Sequence, residues 1–350
     1  MLIKYNKLIK ILLNRFLFMR LLKTIINFFK DFNQTKKDPF HSSKNSTYTL
    51  MRFLYKISDG LILFLISKFL FKNTKKPSNF NNGFKITEAL TKENTENLKE
   101  EILKMKIKTI NSKNTSENYL KLKNNEIDFK YYHQNKITKI NFDNSELLKN
   151  ELITKYATDK KWINICEDIL GSKAYLTGIT SWLTLPANFV NGTDYDEIKN
   201  YESSQMWHRD CDYLRDIKVM TYLTDVIDEN DGPFEIIKDT HSFNFFNPFI
   251  YEMGLAMRVN NNYINKNFKH KIHSFCGNKG TTYVVDTRNL HRGKTIKKSN
   301  HHRLTLQLYF TNSIFGNQIV NPKLGKDWDS YHVWKNALNN NNSYKTLFSD

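Results

Sequence analysis

The hexapeptide Gln205-Met206-Trp207-His208-Arg209-Asp210 contains the only His-x-Asp or His-x-Glu in this chain of 350 residues. On a strand, positions i and i+2 project from the same face, so the His208 imidazole and the Asp210 carboxylate can hold one cation from one side. A second imidazole must then come from elsewhere in the sequence. His291 meets that need in Thr281-Thr-Tyr-Val-Val-Asp-Thr-Arg-Asn-Leu-His291-Arg-Gly293, directly after a run with the composition of a strand. The chain carries 10 histidines and 35 acidic residues. About one His-x-acid is therefore expected by chance, and the spacing gains weight only from its surroundings.

Those surroundings include Arg303, twelve residues beyond His291, at the head of Leu304-Thr-Leu-Gln-Leu-Tyr-Phe310. A guanidinium at the base of a strand gives a bidentate grip on a carboxylate. Taken alone, Arg303 reads as the partner of a surface acid. Taken with three clustered metal donors, it points to the distal carboxylate of a dicarboxylic co-substrate. Two imidazoles and one carboxylate leave coordination positions open, the arrangement associated with non-haem iron(II) oxygenases.

Outward from these segments, short β-type runs separated by turns occupy residues 174–185, 206–210, 217–223, 232–237, 281–285 and 304–311. Many short strands with turn signals predict a sandwich or barrel. Upstream, residues 83–86 read as a short strand and a helix follows to about residue 106. Another helix is expected over 146–170, with Leu147, Leu148, Leu152, Ile153, Tyr156, Trp162, Ile163, Ile165 and Ile169 available for its buried face. Lys- and Asn-rich linkers at 33–46 and 72–82 set a boundary near residue 80. The expected organisation is a basic amphipathic helical region at 1–79, a β-rich metal-binding domain at 80–315 and a C-terminal extension at 316–350.

Composition excludes a disordered chain, since 40% hydrophobic and 14% aromatic residues can build a full core. The excess of 53 basic over 35 acidic residues gives a net charge of +18, which would suit a phosphate-rich partner. No segment matches a recognition module, however, and the bias toward Lys and Asn extends into Asn-rich loops at 260–271 and 336–345. A nucleic-acid partner is not expected. Cys166, Cys211 and Cys276 are odd in number and lack paired spacing, which fits a reduced, cytoplasmic protein. Cys211 lies beside the metal candidates, but a free cysteine is more often a small buried hydrophobe than a ligand. Residues 1–30 mix Leu, Ile and Phe with Lys4, Lys7, Lys10, Arg15, Arg20 and Lys23, giving a basic amphipathic helix too interrupted by charge to span a bilayer. Packing against the rest of the protein is its first expected role, and peripheral contact with an anionic membrane surface its second. The apolar stretch 61–71 contains Lys68 and is too short for a span.

Together these residues resemble the phytanoyl-CoA dioxygenase family. The similarity runs through Trp207-His-Arg-Asp210, Lys218-Val-Met-Thr-Tyr-Leu-Thr-Asp225, Gly232-Pro-Phe234, Asp286-Thr-Arg-Asn-Leu-His-Arg-Gly293 and Arg303. It includes Thr240-His241, where the family usually has Gly-Ser-His, and Asn82-Gly-Phe84 as an entry strand, and so covers about residues 80–315. The resemblance implies a mainly β protein with flanking helices around a double-stranded β-helix core of the jelly-roll, cupin-like kind. It implies Fe(II) on His208, Asp210 and His291, with 2-oxoglutarate chelating the iron while Arg303 holds its far end, and O2 taking the last position. The implied reaction couples decarboxylation of 2-oxoglutarate to succinate and CO2 with hydroxylation of a C–H bond in a small-molecule or lipid-like substrate. Related halogenases lack the carboxylate ligand, so Asp210 favours hydroxylation.

Secondary candidates follow from strand periodicity. Lys218 shares a face with Met220 and Tyr222 and can reach the co-substrate or substrate, with a solvated lysine as an equal alternative. Thr305 and Gln307 share the face of Arg303 and can supplement its grip. Gln205 and Trp207 should point away from the metal. Packing is the expected role for most of Tyr175, Thr177 and Thr180, and His241 is expected to be a structural or pocket residue. His301 and His302, in a polar loop, are expected in solvent. Two other function classes remain at this stage. One is a metal- or small-molecule-binding β-helix protein without turnover, and the other is a membrane-surface or nucleic-acid binder acting through its basic N-terminal region.

Overall fold

The computed structural model describes residues 80–311 apart from 81, 112–118, 122–126, 128, 135–136, 173, 187–204, 211–215, 242–257 and 260, together with 319–321 and 326–328. The helices expected within 1–79, the loop at 336–345 and Cys211 lie outside the described residues. Of the expected C-terminal extension, only a hairpin of two short strands is described.

In chain order the elements begin with strand β1 (Phe84–Ile86), helix α1 (Lys92–Leu103), strands β2 (Lys106–Asn111) and β3 (Tyr119–Lys121), helix α2 (Phe129–Gln134) and strand β4 (Ile137–Phe142). Three helices follow, α3 (Asn144–Lys149), α4 (Glu151–Ala157) and α5 (Lys160–Leu170), then strands β5 (Tyr175–Thr184), β6 (Trp207–His208), β7 (Asp216–Tyr222), β8 (Phe234–Ile237) and β9 (Arg258–Val259). Helix α6 (Asn261–Asn267) leads into β10 (Ile272–Phe275), β11 (Thr282–Asp286), β12 (His291–Gly293) and β13 (Arg303–Thr311).

The strands form two antiparallel sheets. The larger has the order β1-β11-β7-β13-β5-β4-β2-β3 and the smaller β10-β8-β12-β6-β9. From β5 onward the chain passes between the two sheets repeatedly, placing β5, β7, β11 and β13 in one and β6, β8, β10 and β12 in the other. This is a double-stranded β-helix, the eight-stranded jelly-roll in which strands from alternate sheets wind around a common interior. Among the described residues no helix is long and apolar enough to cross a membrane.

Period-two alternation decides what each face of the larger sheet meets. In β13, Leu304, Leu306, Leu308 and Phe310 are fully buried among Ile179 and Leu183 of β5, Val219 of β7 and residues from the helices, including Leu98, Leu147, Ile153, Trp162 and Ile169. Each such burial contributes roughly 1.5–3 kcal/mol. The intervening Arg303, Thr305, Gln307 and Tyr309 turn toward the space between the sheets, where they line a cavity. On the other side of that space, Met220, Tyr222, Tyr283 and Val285 of the larger sheet pack against Phe234, Ile236 and Phe275 of the smaller.

The elements depart from the sequence expectations in several places. The helix expected over 146–170 is three helices. Asn150 has extended backbone angles (φ −80°, ψ 118°) and its side chain accepts the Ile153 N–H, while Asp159 accepts from Lys161 N–H, so each caps a new helix where a continuous one was expected. The first helix stops at Leu103, before Lys106, which instead opens β2. Strands β2, β3 and β4 extend the larger sheet beyond the expected set. Part of the Asn-rich loop at 260–271 is helix α6, with Ile264 buried on its inner face. His301 and His302 are half-buried rather than solvated, and burial, ahead of the nearby His301 and Lys99 charges, pushes the His302 imidazole down to about 4.

Candidate metal centre

Adjacent strands of the smaller sheet bring the two histidines together. β12 pairs with β6 so that His291 stands directly opposite His208, and their ring centroids are 4.3 Å apart. Trp207 points the other way, fully buried and covered by the Arg292 guanidinium 4.7 Å from the ring centroid. Asp210 lies past the end of β6, where its N–H donates to the Thr287 carbonyl at 3.0 Å. Its carboxylate is thus placed by the loop after β11 as well as by strand alternation, a correction to the same-face argument. Oδ1 lies 3.6 Å from His208 Nε2, and Oδ2 lies 3.5 Å from His291 Nε2.

Both imidazoles are oriented through their other nitrogen. His208 Nδ1 is 2.6 Å from the Met206 carbonyl, and His291 Nδ1 is 2.9 Å from the Asn289 carbonyl. A carbonyl oxygen only accepts, so each Nδ1 carries a hydrogen, and Nε2 is the atom each ring would offer to a cation. This is the arrangement that metal-bound histidines take, with the outer N–H tied to the backbone. One atom from each of His208, Asp210 and His291 falls within 4.8 Å of the others, and no other such cluster occurs among the described residues. Ligand atoms bonded to one first-row cation at about 2.1 Å sit roughly 3 Å apart when adjacent, so small inward shifts would close the set on an ion. Two nitrogens and one oxygen are a donor set that iron(II) accepts.

Lys218, on β7, reaches Asp210 Oδ2 with its ammonium and lies over the Tyr309 ring at 4.6 Å. Burial would raise the Asp210 carboxyl, but the charges of Lys218, His291 and His208 outweigh it and hold the group well below the ordinary carboxylate range. A charged carboxylate is the form a cation needs.

The three donors open onto a cavity of about 890 Å³ whose lining includes Lys139, Trp182, Lys218, Arg303, Thr305 and Gln307. Arg303 is 4% exposed. Its Nη2 donates to Thr184 Oγ1 at 3.4 Å, while Nη1 has no hydrogen-bond partner, and no carboxylate pairs with it among the described residues. Thr305 Oγ1 is likewise buried and unpartnered. A buried guanidinium without a counter-charge is costly, so an anion at this end of the cavity would be favoured. Lys139 strengthens that reading. Thr184 pairs in register with both Lys139 and Arg303, placing the two cations in one row across β4, β5 and β13. The Lys139 ammonium sits 4.7 Å from the Trp182 ring centroid. Burial, followed by the charges of Arg303 and Lys218, lowers its pKa to about 8.

The sequence reading missed Lys139 because it did not place β4. The signal was present in Lys139-Ile140-Asn141-Phe142, where polar and apolar residues alternate as in a half-buried strand. Of the early β5 candidates, Thr180 lines the cavity, whereas Tyr175 and Thr177 are buried elsewhere. His241 stays outside the donor set, 3.4 Å from Asn289 Oδ1. The Asp239-Thr240 variation also has a structural reason. Asp239 has φ +63°, a conformation glycine adopts freely and aspartate tolerates, while the Thr240 hydroxyl donates to Ile237 O and accepts from Leu290 N–H. That joins β8 to the segment leading into His291.

No protein-family model matches the chain, and no curated protein does. Similar folds occur among solved structures. HygX from Streptomyces hygroscopicus with nickel, 2-oxoglutarate and hygromycin B bound aligns over 66% of this chain and 83% of its own, at 12% identity and a TM-score of 0.43. EctD from S. alaskensis with bound Fe aligns over 71% of this chain and 81% of its own, at 14% identity and a TM-score of 0.42. The non-heme alpha ketoglutarate dependent epimerase SnoN from nogalamycin biosynthesis aligns over 69% and 82%, at 10% identity and a TM-score of 0.43. At such scores these likenesses carry no argument about function, which rests on the residues of the cavity.

Proposed function

We propose that this protein is an Fe(II)- and 2-oxoglutarate-dependent dioxygenase that hydroxylates a C–H bond of a small-molecule or lipid-like substrate, with release of succinate and CO2. The observation that carries the proposal is the sharing of one cavity by a two-histidine, one-carboxylate cluster and a buried Arg303 that has no carboxylate partner among the described residues. His208, Asp210 and His291 would hold the iron, which when bound supplies the activation of O2 and of the co-substrate's keto acid. Arg303 would hold the distal carboxylate through its unpartnered nitrogen, with the Thr305 hydroxyl and Lys139 beside it. The Nδ1–H bonds to Met206 and Asn289 keep both Nε2 lone pairs aimed at the ion, and Lys218 keeps Asp210 charged. The apolar wall of Trp182, Phe234 and Tyr283 would limit water in the cavity. The resemblance of the motifs to the phytanoyl-CoA dioxygenase family supports the same reading, and retention of the Asp210 carboxylate supports hydroxylation.

The test is anaerobic loading of the full chain with iron(II), a 2-oxoglutarate titration, and then exposure to oxygen. Saturable binding of both and formation of succinate are expected, with a gain of one oxygen by a component of a metabolite and lipid extract. Failure to bind iron, or iron binding without any 2-oxoglutarate affinity, would overturn the proposal.

A further inference from the structure

Gln307 is 5% exposed and faces the cavity from the middle of β13. Among the described residues, neither the oxygen nor the nitrogen of its amide has a hydrogen-bond partner. The amide opens into the cavity and not into packed protein, so it is free to pair with a polar group of a ligand there. Register fixes where along the cavity that group must lie. Gln307 stands between Thr180 of β5 and Met220 of β7. Toward one end of the strand come Thr305 and then Arg303. Toward the other comes Tyr309, opposite Lys218, whose ammonium touches the metal candidate Asp210.

Arg303 and Gln307 are four residues apart, a rise of about 13 Å along the strand, so the two side chains start from well-separated points on the cavity wall. A diacid held by Arg303 and extended toward the metal cluster would pass Thr305 and bring its other end to the row of Gln307. We infer that Gln307 is a co-substrate-binding residue that donates an amide N–H to the 2-keto oxygen of 2-oxoglutarate, at the end nearer the metal. In this role it distinguishes a 2-oxo acid from a plain diacid, while Arg303 recognises only the distal carboxylate common to both. The inference rests on the dioxygenase reading and adds to it the residue that selects the keto acid.

The experiment compares wild type with Gln307→Leu and Gln307→Glu as full-length, nickel-substituted proteins, which bind without turnover. Affinities for 2-oxoglutarate and for glutarate, which lacks the keto group, are measured by calorimetry. Leaving the buried keto oxygen without its donor costs about 1–3 kcal/mol, so Gln307→Leu should weaken 2-oxoglutarate binding by roughly five-fold or more. Glutarate binding and nickel affinity should change by less than about three-fold. The preference for 2-oxoglutarate over glutarate should therefore shrink in Gln307→Leu, and Gln307→Glu, which sets a carboxylate against a carboxylate, should weaken 2-oxoglutarate further. A purely structural role would lower both affinities together and leave the preference intact, and that result overturns the inference. Unchanged 2-oxoglutarate affinity in Gln307→Leu overturns it as well. If the leucine variant does not fold, Gln307→Asn keeps the amide but withdraws it by one methylene, and the same loss of preference is expected. Wild type that binds neither nickel nor 2-oxoglutarate would instead refute the dioxygenase reading.

Discussion

Replacing Arg303 with methionine should make the ligand-free protein no less stable while destroying its affinity for 2-oxoglutarate. Methionine fills much of the volume of the arginine stem, so the packing of β13 against β5 and β7 is kept. What is lost is a guanidinium that is 4% exposed, has one hydrogen bond at 3.4 Å to Thr184, leaves Nη1 unpartnered and meets no carboxylate among the described residues. Exchanging buried charge for a packed apolar side chain is commonly neutral or stabilising, by about 1–4 kcal/mol. For a domain of this size, each kcal/mol moves the melting temperature by roughly 2–4 °C. Apo Arg303→Met should thus melt at or above wild type. In the complex the sign reverses. A charge-assisted contact in a buried site is worth about 3–5 kcal/mol when one partner is removed, so the dissociation constant of 2-oxoglutarate should rise by roughly a hundred- to several-thousand-fold, with metal affinity retained. Differential scanning calorimetry of the apo proteins and calorimetric titration of the metal-loaded proteins measure the two halves. A variant that melts well below wild type and still binds 2-oxoglutarate normally would show that Arg303 is a structural residue, and the co-substrate assignment would fall with it.

Two further outcomes follow from the cavity and its supports. Lys139 carries its charge below about pH 8 and loses it above, so 2-oxoglutarate affinity should decline as pH rises through that range. Lys139→Met should bind more weakly at pH 7 and show a flattened profile between pH 7 and 9, measured by titration of the metal-loaded protein; parallel profiles for wild type and variant would remove Lys139 from the anion site. Gly83→Ala should destabilise the protein by about 2 kcal/mol or more. Gly83 has φ +76° and an added Cβ would fall 1.8 Å from the Asn289 side-chain nitrogen, displacing the residue whose carbonyl orients His291. Thermal unfolding and metal affinity should both fall, and a variant matching wild type in both would show that Asn289 does not depend on the entry strand.

Sequence by itself determined the elements whose signals are local. The candidate metal donors and Arg303 could be picked out because His208-Arg-Asp210, His291 and Arg303 each abut a strand pattern. The inward face of β13 was legible because residues 303–311 alternate, so Thr305 and Gln307 could be set beside Arg303 before any contact was known. Tertiary structure alone decided what depends on residues distant in sequence. Lys139 joins the candidate site because β4 pairs with β5, bringing residue 139 beside Thr184 and so into the row of Arg303; the alternation of 139–142 marks a strand, but which strand it pairs with leaves no mark in either segment. The breaks at Asn150 and Asp159 were visible as capping residue types, yet only packing on the sheet showed that capping prevailed over a continuous helix. The same holds for the imidazoles. Their identity is written in the chain, but the backbone carbonyls that direct both Nε2 lone pairs to one point are placed by strand register, because a hydrogen bond depends on position and angle and not on composition.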